Sequence, residues 1–270
     1  MLLKKYIKNY LTENLKILDI SVIDNIVESL NSECEKIFNK LSAQGEENML
    51  YYYILDHLDY GSPRILSKFE LYEIGEGAFR RVYAIQGEEW VMKLSTSIEG
   101  AKINKEEIDI SKGKHGLAAR DIFLKIYDYD KLTKYPCWII CQKVVPMEDI
   151  SDLNILKRVF PTFWNMIRED DIHKSAGHHF ISMISSALTM FGYHLKNQSP
   201  KIAFYNSVKA LCNLFDFDDI VFYDDFKRIS SAFAYIRSTD MHSGNFGLVS
   251  LQNPSPESFV ILDFDADSHI

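Results

Sequence analysis

The sequence has few cysteines, no long apolar run and no excess of basic residues, and each absence excludes a class of protein. The four cysteines among 270 residues form no Cys-x-x-Cys pair, so we expect reduced thiols inside a cell. No run of about 18 apolar residues occurs, and lysines interrupt the N-terminal apolar stretch, so we expect neither a membrane span nor a signal peptide. The net charge of −8 argues against non-specific nucleic-acid binding. We therefore expect a cytoplasmic protein whose partners include neither nucleic acid nor membrane.

The residue pattern changes twice along the chain, which predicts an α+β fold in three segments. Residues 1–65 show helical spacing of apolar residues and form an N-terminal helical extension. Residues 66–148 contain short β-prone runs, separated by turns and interrupted by one helix. Residues 149–270 are mostly helical and close with two strand-like runs.

The run "IGEGAFRRVY" places a Gly-x-Gly-x-Phe-x-x-Val pattern between two predicted strands. Because Gly75 and Gly77 lack Cβ atoms, their backbone can approach phosphate groups and donate N–H bonds to them. An ordinary β-hairpin with two glycines is the alternative. Arg80 stands where the fuller pattern has a third glycine, and we expect it to lie with Arg81 on a solvated hairpin; the alternative is that Arg80 reaches a phosphate.

Lys93 in "WVMKL" alternates with apolar residues in a predicted strand. An unpaired buried ammonium is costly, so this lysine either faces solvent or binds an anion. A carboxylate on the following helix is needed to hold it. Glu107 shares the inward helical face with Ile103 and Ile110, which favours it over its neighbour Glu106.

The run "DMHSGN" and the later "VILDFDAD" supply hard oxygen ligands. Phosphoryl transfer needs a carboxylate to orient or deprotonate the attacking hydroxyl, a role that suits Asp240. It also needs Mg²⁺ ligands, for which carboxylate and amide oxygens are suited, so we assign Asn245 and Asp263 to the metal.

Taken in order, "GEGAFRRV", "VMK", "D-x-x-x-x-N" and "DFD" resemble the protein-kinase-like superfamily over residues 69–270. The loop "DMHSGN" is similar to the Asp-x-His-x-Gly-Asn variant of atypical kinases in the coenzyme Q pathway. It also resembles kinase-like proteins of bacteria and bacteriophages. The resemblance implies a two-lobed fold: a small antiparallel sheet plus one helix as the N-lobe, and a mostly helical C-lobe.

The resemblance implies ATP and Mg²⁺ as cofactors and assigns their binding residues. Lys93 would pair the α- and β-phosphates while Glu107 holds it. Gln142 and Val144, in the hinge, would offer backbone groups to adenine. The implied cofactor-binding set is Gly75, Gly77, Phe79, Val82, Lys93, Glu107, Gln142 and Val144.

The same resemblance assigns the catalytic and metal-binding roles. Asp240 would be the catalytic base, and His242 would stand where protein Ser/Thr kinases carry a lysine near the γ-phosphate. Asn245 and Asp263 would be the metal ligands. We expect a kinase that phosphorylates a Ser or Thr hydroxyl of a protein substrate not identified by the sequence.

Three departures from the family pattern keep other functions open. Ser-Thr-Asp replaces His-Arg-Asp, Asp265 replaces the glycine of Asp-Phe-Gly, and seven residues follow Asp263. The last point predicts a truncated C-terminus without an activation loop. The alternatives are a pseudokinase that binds a nucleotide or partner, a small-molecule kinase, and an AMP-transferase on the same fold.

Overall fold

The computed structural model describes residues 20–46, 49–60, 65–114, 116–150, 152–161 and 245–262, together with the single positions 202, 206 and 209. Across these residues the fold is mixed α+β, with an antiparallel sheet and several helices. Within the described parts, no helix is both long and apolar enough to cross a membrane.

Within residues 20–71, as far as they are described, three helices precede the first strand: α1 (Ile20–Ser42), α2 (Leu50–Tyr60) and α3 (Ile65–Lys68). The buried stripe of α1 repeats every three or four residues, as an amphipathic helix requires; it consists of Ile23, Ile26, Leu30, Cys34, Ile37 and Leu41. After α1, Gly45 adopts φ +73 and Glu46 donates its N–H to the Leu41 carbonyl, which ends the helix.

The first sheet has five strands: β1 (Tyr72–Glu76), β2 (Arg80–Ala84), β3 (Trp90–Ser95), β4 (Ile126–Tyr129) and β5 (Trp138–Gln142). Their order in the sheet is β1-β2-β3-β5-β4, and β1, β2 and β3 pair antiparallel. At the two ends of β4 and β5, the Asp130 N–H donates to the Trp138 carbonyl and the Gln142 N–H to the Lys125 carbonyl.

Two helices, α4 (Ile98–Ser111) and α5 (Leu117–Ile122), stand between β3 and β4. In the sequence, the run "DIFLKIYDYDKL" from residue 121 is typical of a strand and only one helix is expected within residues 66–148; both expectations are wrong at Asp121 and Ile122, which end α5. Only the stretch from Ile126 forms a strand. Ile122, Phe123 and Leu124 are buried, and so short an apolar run fits a helix or a strand, so local spacing could not separate the two outcomes.

The two faces of the five-stranded sheet have different neighbours. One face joins a single apolar core with α1, α2 and α3, and its strand residues are Tyr83, Trp90, Met92, Leu94, Trp138 and Ile140. Successive strand residues point to opposite faces, so Val82 and Lys93 belong to the other face. Among the described strand residues, none from the Lys93 face takes part in this core.

The N-terminal helices are also tied to the sheet by a polar contact. The Tyr51 hydroxyl of α2 donates to the Tyr135 carbonyl in the loop before β5, at 3.2 Å. Burial, with the nearby Cys137 and Asp130, raises the pKa of Tyr51. Helix α2 therefore contributes a buried, neutral phenol to the sheet side of the core.

After β5 the chain forms β6 (Val145–Pro146), a 3₁₀ turn (Met147–Asp149) and α6 (Leu153–Val159), where Asp152 caps α6 by accepting the Asn154 N–H. Strands β7 (Phe246–Leu248) and β8 (Phe259–Ile261) complete a second, three-stranded sheet in the order β6-β7-β8. Both neighbouring pairs are antiparallel.

The described residues fall into two compact units, one within 1–104 and 127–141 and the other within 105–126 and 142–270. In the first unit the N-terminal helices and the sheet share one core. The three predicted segments stay a prediction, because most of residues 149–270 lies outside the described residues.

Candidate functional site

Three of the predicted nucleotide-binding residues form one row across the first sheet. Gly75 lies opposite Val82 in the β1–β2 pair, and Val82 lies opposite Lys93 in the β2–β3 pair. A Cβ built on Gly75 would lie 4.0 Å from the Val82 Cβ. The row belongs to the face that is not part of the core with the N-terminal helices. Strand register therefore places the predicted residues next to each other on one surface.

Gly77 is not required by the packing of the protein. A Cβ at Gly77 would come no nearer than 3.7 Å to the Arg80 carbonyl, an ordinary contact, and its φ lies outside the left-handed region. A glycine that neither packing nor a positive φ requires leaves the backbone of the turn open to close approach by a ligand. Gly75 has similar room, beside a register shift in β1.

The turn between β1 and β2 presents Phe79 to solvent. Its side chain is 40% exposed, whereas its carbonyl accepts the Thr96 N–H at 2.9 Å. The backbone of the turn is thus attached to the end of β3 while the ring projects outward.

Lys93 and Glu107 are both buried charged residues. Lys93 is 6% exposed and Glu107 is fully buried, and each has an interaction partner. Glu106 is half-buried, so Glu107 is the glutamate on the inward face of α4, as its spacing predicted. The two residues belong to different compact units, and their pairing stays a prediction.

Arg80 corrects an expectation from the sequence. It is 6% exposed instead of lying on a solvated hairpin, and its Nη1 donates to Asn104 Oδ1 at 3.3 Å. Alternation along β2 puts Arg80 on the same face as Val82, where Asn104 of α4 covers it. Arg81 lies half-buried and pairs with Glu73 and Glu76 at 3.6 and 3.2 Å.

The hinge residues are partly used by the fold itself. The Gln142 N–H donates to the Lys125 carbonyl at 2.8 Å, so of its two backbone groups only the carbonyl could serve adenine. Val144 is half-buried, and its side chain packs on the backbone of Gly247 in β7.

Asn245 stands at the start of the β7–β8 hairpin. It is buried, and its carbonyl accepts the Leu262 N–H at 2.9 Å, one step beyond the Phe246–Ile261 pair. The hairpin register therefore continues from the Phe246–Ile261 pair to Asn245 and Leu262.

Three predicted site residues, Asp240, His242 and Asp263, lie outside the described residues. Within the part of the chain that is described, no group of three His, Cys, Asp or Glu side chains converges as a metal site. The catalytic base and the acidic metal ligand therefore keep the roles that the sequence predicted for them, as predictions.

Sequence reasoning missed Asn104, which is fully buried and hydrogen-bonded on both sides of its amide. A signal was present, since Asn104 and Glu107 are three apart and share a helical face. A polar side chain on the buried face of a helix needs a hydrogen-bond partner.

No protein-family model matches the chain, and a search of curated proteins finds no match. The resemblance to the protein-kinase-like superfamily thus depends on the residues quoted above and remains a hypothesis.

Proposed function

We propose that the protein is an ATP- and Mg²⁺-dependent phosphotransferase of the protein-kinase-like superfamily, with a Ser or Thr hydroxyl of a protein as acceptor. The observation that carries the proposal is the Gly75–Val82–Lys93 row, which sets a buried lysine beside the glycine-containing turn. A lysine ammonium beside a glycine-containing turn suits the phosphates of a nucleotide, and because the Gly77 N–H is donated to the Arg80 carbonyl, the expectation from the sequence that this N–H binds a phosphate is corrected.

The space beside Gly75 and Gly77 favours a nucleotide-binding turn over an ordinary β-hairpin. Gly75 and Gly77 both leave room for a Cβ, so the protein does not itself fill the volume beside them. An ordinary two-residue hairpin would instead use its glycine for a positive φ, and among the described glycines neither of these two has one.

The second unit supports the proposal through Asn245. Its position beside Leu262 suits a metal site that also uses Asp263, since both residues would supply oxygen ligands. A small antiparallel sheet with one long helix after β3 is also what the resemblance implies for the N-lobe.

The proposed reaction is an in-line transfer of the γ-phosphoryl group. Asp240 accepts the proton of the acceptor hydroxyl, whose oxygen bonds to the γ-phosphorus as the bond to the bridging oxygen of ADP breaks. Lys93 stabilises the charge on the α- and β-phosphates, and His242 donates toward the γ-phosphate. Mg²⁺, when bound by Asn245 and Asp263, supplies further charge neutralisation.

The test is incubation of the protein with Mg²⁺, a cell lysate and ATP labelled at either the γ- or the α-phosphate. We expect label from γ-labelled ATP on protein, and a loss of about 10²–10⁴-fold in rate for Asp240→Ala, the range of general-base catalysis. Asp263→Ala should lose the metal and the activity. Asp56→Ala, on the exposed side of α2, is the matched control and should keep full rate.

The labelling pattern separates the proposal from its alternatives. Label from α-labelled ATP alone would identify AMP transfer, and label on small molecules alone would identify a metabolite kinase. Mg-ATP binding without transfer would identify a pseudokinase. Neither transfer nor a rise in melting temperature with Mg-ATP would contradict nucleotide binding altogether.

A further inference from the structure

The turn between β1 and β2 is attached to the neighbouring elements by its backbone. The Gly77 N–H donates to the Arg80 carbonyl at 2.8 Å, which closes the turn on itself. The Thr96 N–H donates to the Phe79 carbonyl at 2.9 Å, which joins the turn to the residue after β3. These two hydrogen bonds restrain the backbone of the turn at Gly77 and at Phe79.

The first turn of α4 packs directly against the same carbonyl. A Cβ at Gly100 would lie 2.2 Å from the Phe79 oxygen and 3.1 Å from its carbonyl carbon. No side chain fits at this distance, so Gly100 is required for the helix to approach the turn. The contact leaves α4 and the turn without room to slide past each other.

A buried side-chain network lies beside these backbone contacts. Asn104 of α4 accepts from Arg80 Nη1 at 3.3 Å, and its Nδ2 donates to Ser95 Oγ at 2.8 Å and to the Pro136 carbonyl at 2.9 Å. One amide therefore joins β2, β3, α4 and the loop before β5. We call Arg80, Ser95 and Asn104 the turn clamp.

The turn clamp lies next to the proposed phosphate site. Arg80 pairs with Ser95, two residues along from the Val82–Lys93 pair and on the same face. Removing one member of a buried network leaves the partners unsatisfied, which costs more than the bond itself contributes. The conformation of the turn is thus coupled to the amide of Asn104.

We propose that Arg80 and Asn104 are positioning residues that hold the β1–β2 turn ready for the phosphates of ATP. This inference rests on the proposed phosphotransferase function. A flexible loop that covers phosphates loses conformational entropy when the ligand binds. A preorganised turn has already lost this entropy during folding, so binding does not incur the cost again. The clamp therefore increases affinity for the phosphates and leaves affinity for the nucleoside unchanged.

The test compares Mg-ATP with adenosine by titration calorimetry. We expect Asn104→Ala and Arg80→Met to weaken Mg-ATP binding about tenfold, the size of one charged hydrogen bond, and to leave adenosine unaffected. Arg80→Lys keeps a charged donor and should lie in between. Lys102→Ala, on the exposed face of α4, is the control and should match the wild type.

Deuterium exchange then shows whether the turn itself is released. In Asn104→Ala and Arg80→Met, the amide hydrogens of the peptides that contain Gly77 and Thr96 should exchange severalfold faster than in the wild type. Exchange in α1 and α2 should be unchanged. The two Arg80 variants decide the result when Asn104→Ala does not fold.

The possible failures can be distinguished. Equal losses for ATP and adenosine, or no loss for either, would overturn the inference and leave the proposed function standing. A wild-type protein that binds no Mg-ATP would overturn both.

Discussion

At the scale of single residues, the glycines show which parts of the backbone the fold constrains. Gly100 and Gly247 are required by close packing, since a Cβ would lie 2.2 and 2.3 Å from a carbonyl oxygen. Gly45 and Gly87 are required by positive φ. Gly77 has neither reason, and this difference is what points to a ligand beside the turn.

The comparison of two glycines gives a prediction at this scale. Gly100→Ala should destabilise the protein by about 1–3 kcal/mol, because α4 or the turn must shift to admit the Cβ. Gly77→Ala should leave stability almost unchanged and weaken Mg-ATP binding. Urea unfolding and calorimetry measure the two effects. Loss of stability in both variants would contradict a ligand role for Gly77.

At the scale of elements, the first sheet uses its two faces for different purposes. The helices α1, α2 and α3 share a core with one face, and the opposite face carries Lys93 and the turn clamp. The N-terminal helices therefore act as part of the sheet's support and do not compete with the proposed ligand for its surface.

The bond from α2 to the loop before β5 gives a prediction for alkaline pH. Because its pKa is raised, Tyr51 stays protonated in the folded protein above about pH 10, where the unfolded chain ionises. The folded state then binds more protons than the unfolded state, so its stability falls as pH rises. Tyr51→Phe avoids this loss but lacks one hydrogen bond.

Unfolding free energies between about pH 7 and 11 measure the effect. At neutral pH, Tyr51→Phe should be about 1 kcal/mol less stable than the wild type. Above about pH 10 the difference should shrink and then reverse. Tyr52→Phe, at an exposed position of the same helix, is the control and should follow the wild type. A constant difference across the range would contradict the burial of the Tyr51 hydroxyl.

At the scale of the whole molecule, Lys93 belongs to the first compact unit and Asn245 to the second, and both residues are buried. The proposed phosphotransfer requires each of the two residues in the same reaction.

A double-mutant cycle tests that requirement. Lys93→Met and Asn245→Ala should each lower the rate of γ-phosphoryl transfer by at least tenfold. The double variant should lose much less rate than the product of the two single fold-losses. Residues that act as a unit on one transition state are not additive. Fully multiplicative losses in rate would contradict the requirement for both residues in one reaction.

The sequence by itself determined the features that follow from local spacing. The three-and-four repeat of α1 defined its buried stripe, and alternation in "WVMKL" set Lys93 apart from Trp90, Met92 and Leu94. Helical spacing also chose Glu107 over Glu106 as the inward residue. These predictions succeeded because a helix or strand fixes the direction of its own side chains.

Only the tertiary structure decided the surroundings of Arg80. The sequence predicted a solvent-exposed side chain for Arg80, because it is charged and lies beside a glycine-containing turn. In the structure it is buried and bonded to Asn104, 24 positions further along the chain. The helix at Asp121 and Ile122 was likewise not decided by local spacing, since a short apolar run fits a helix or a strand. Such contacts depend on which elements dock together, and local spacing carries no information about a partner that is distant in the chain.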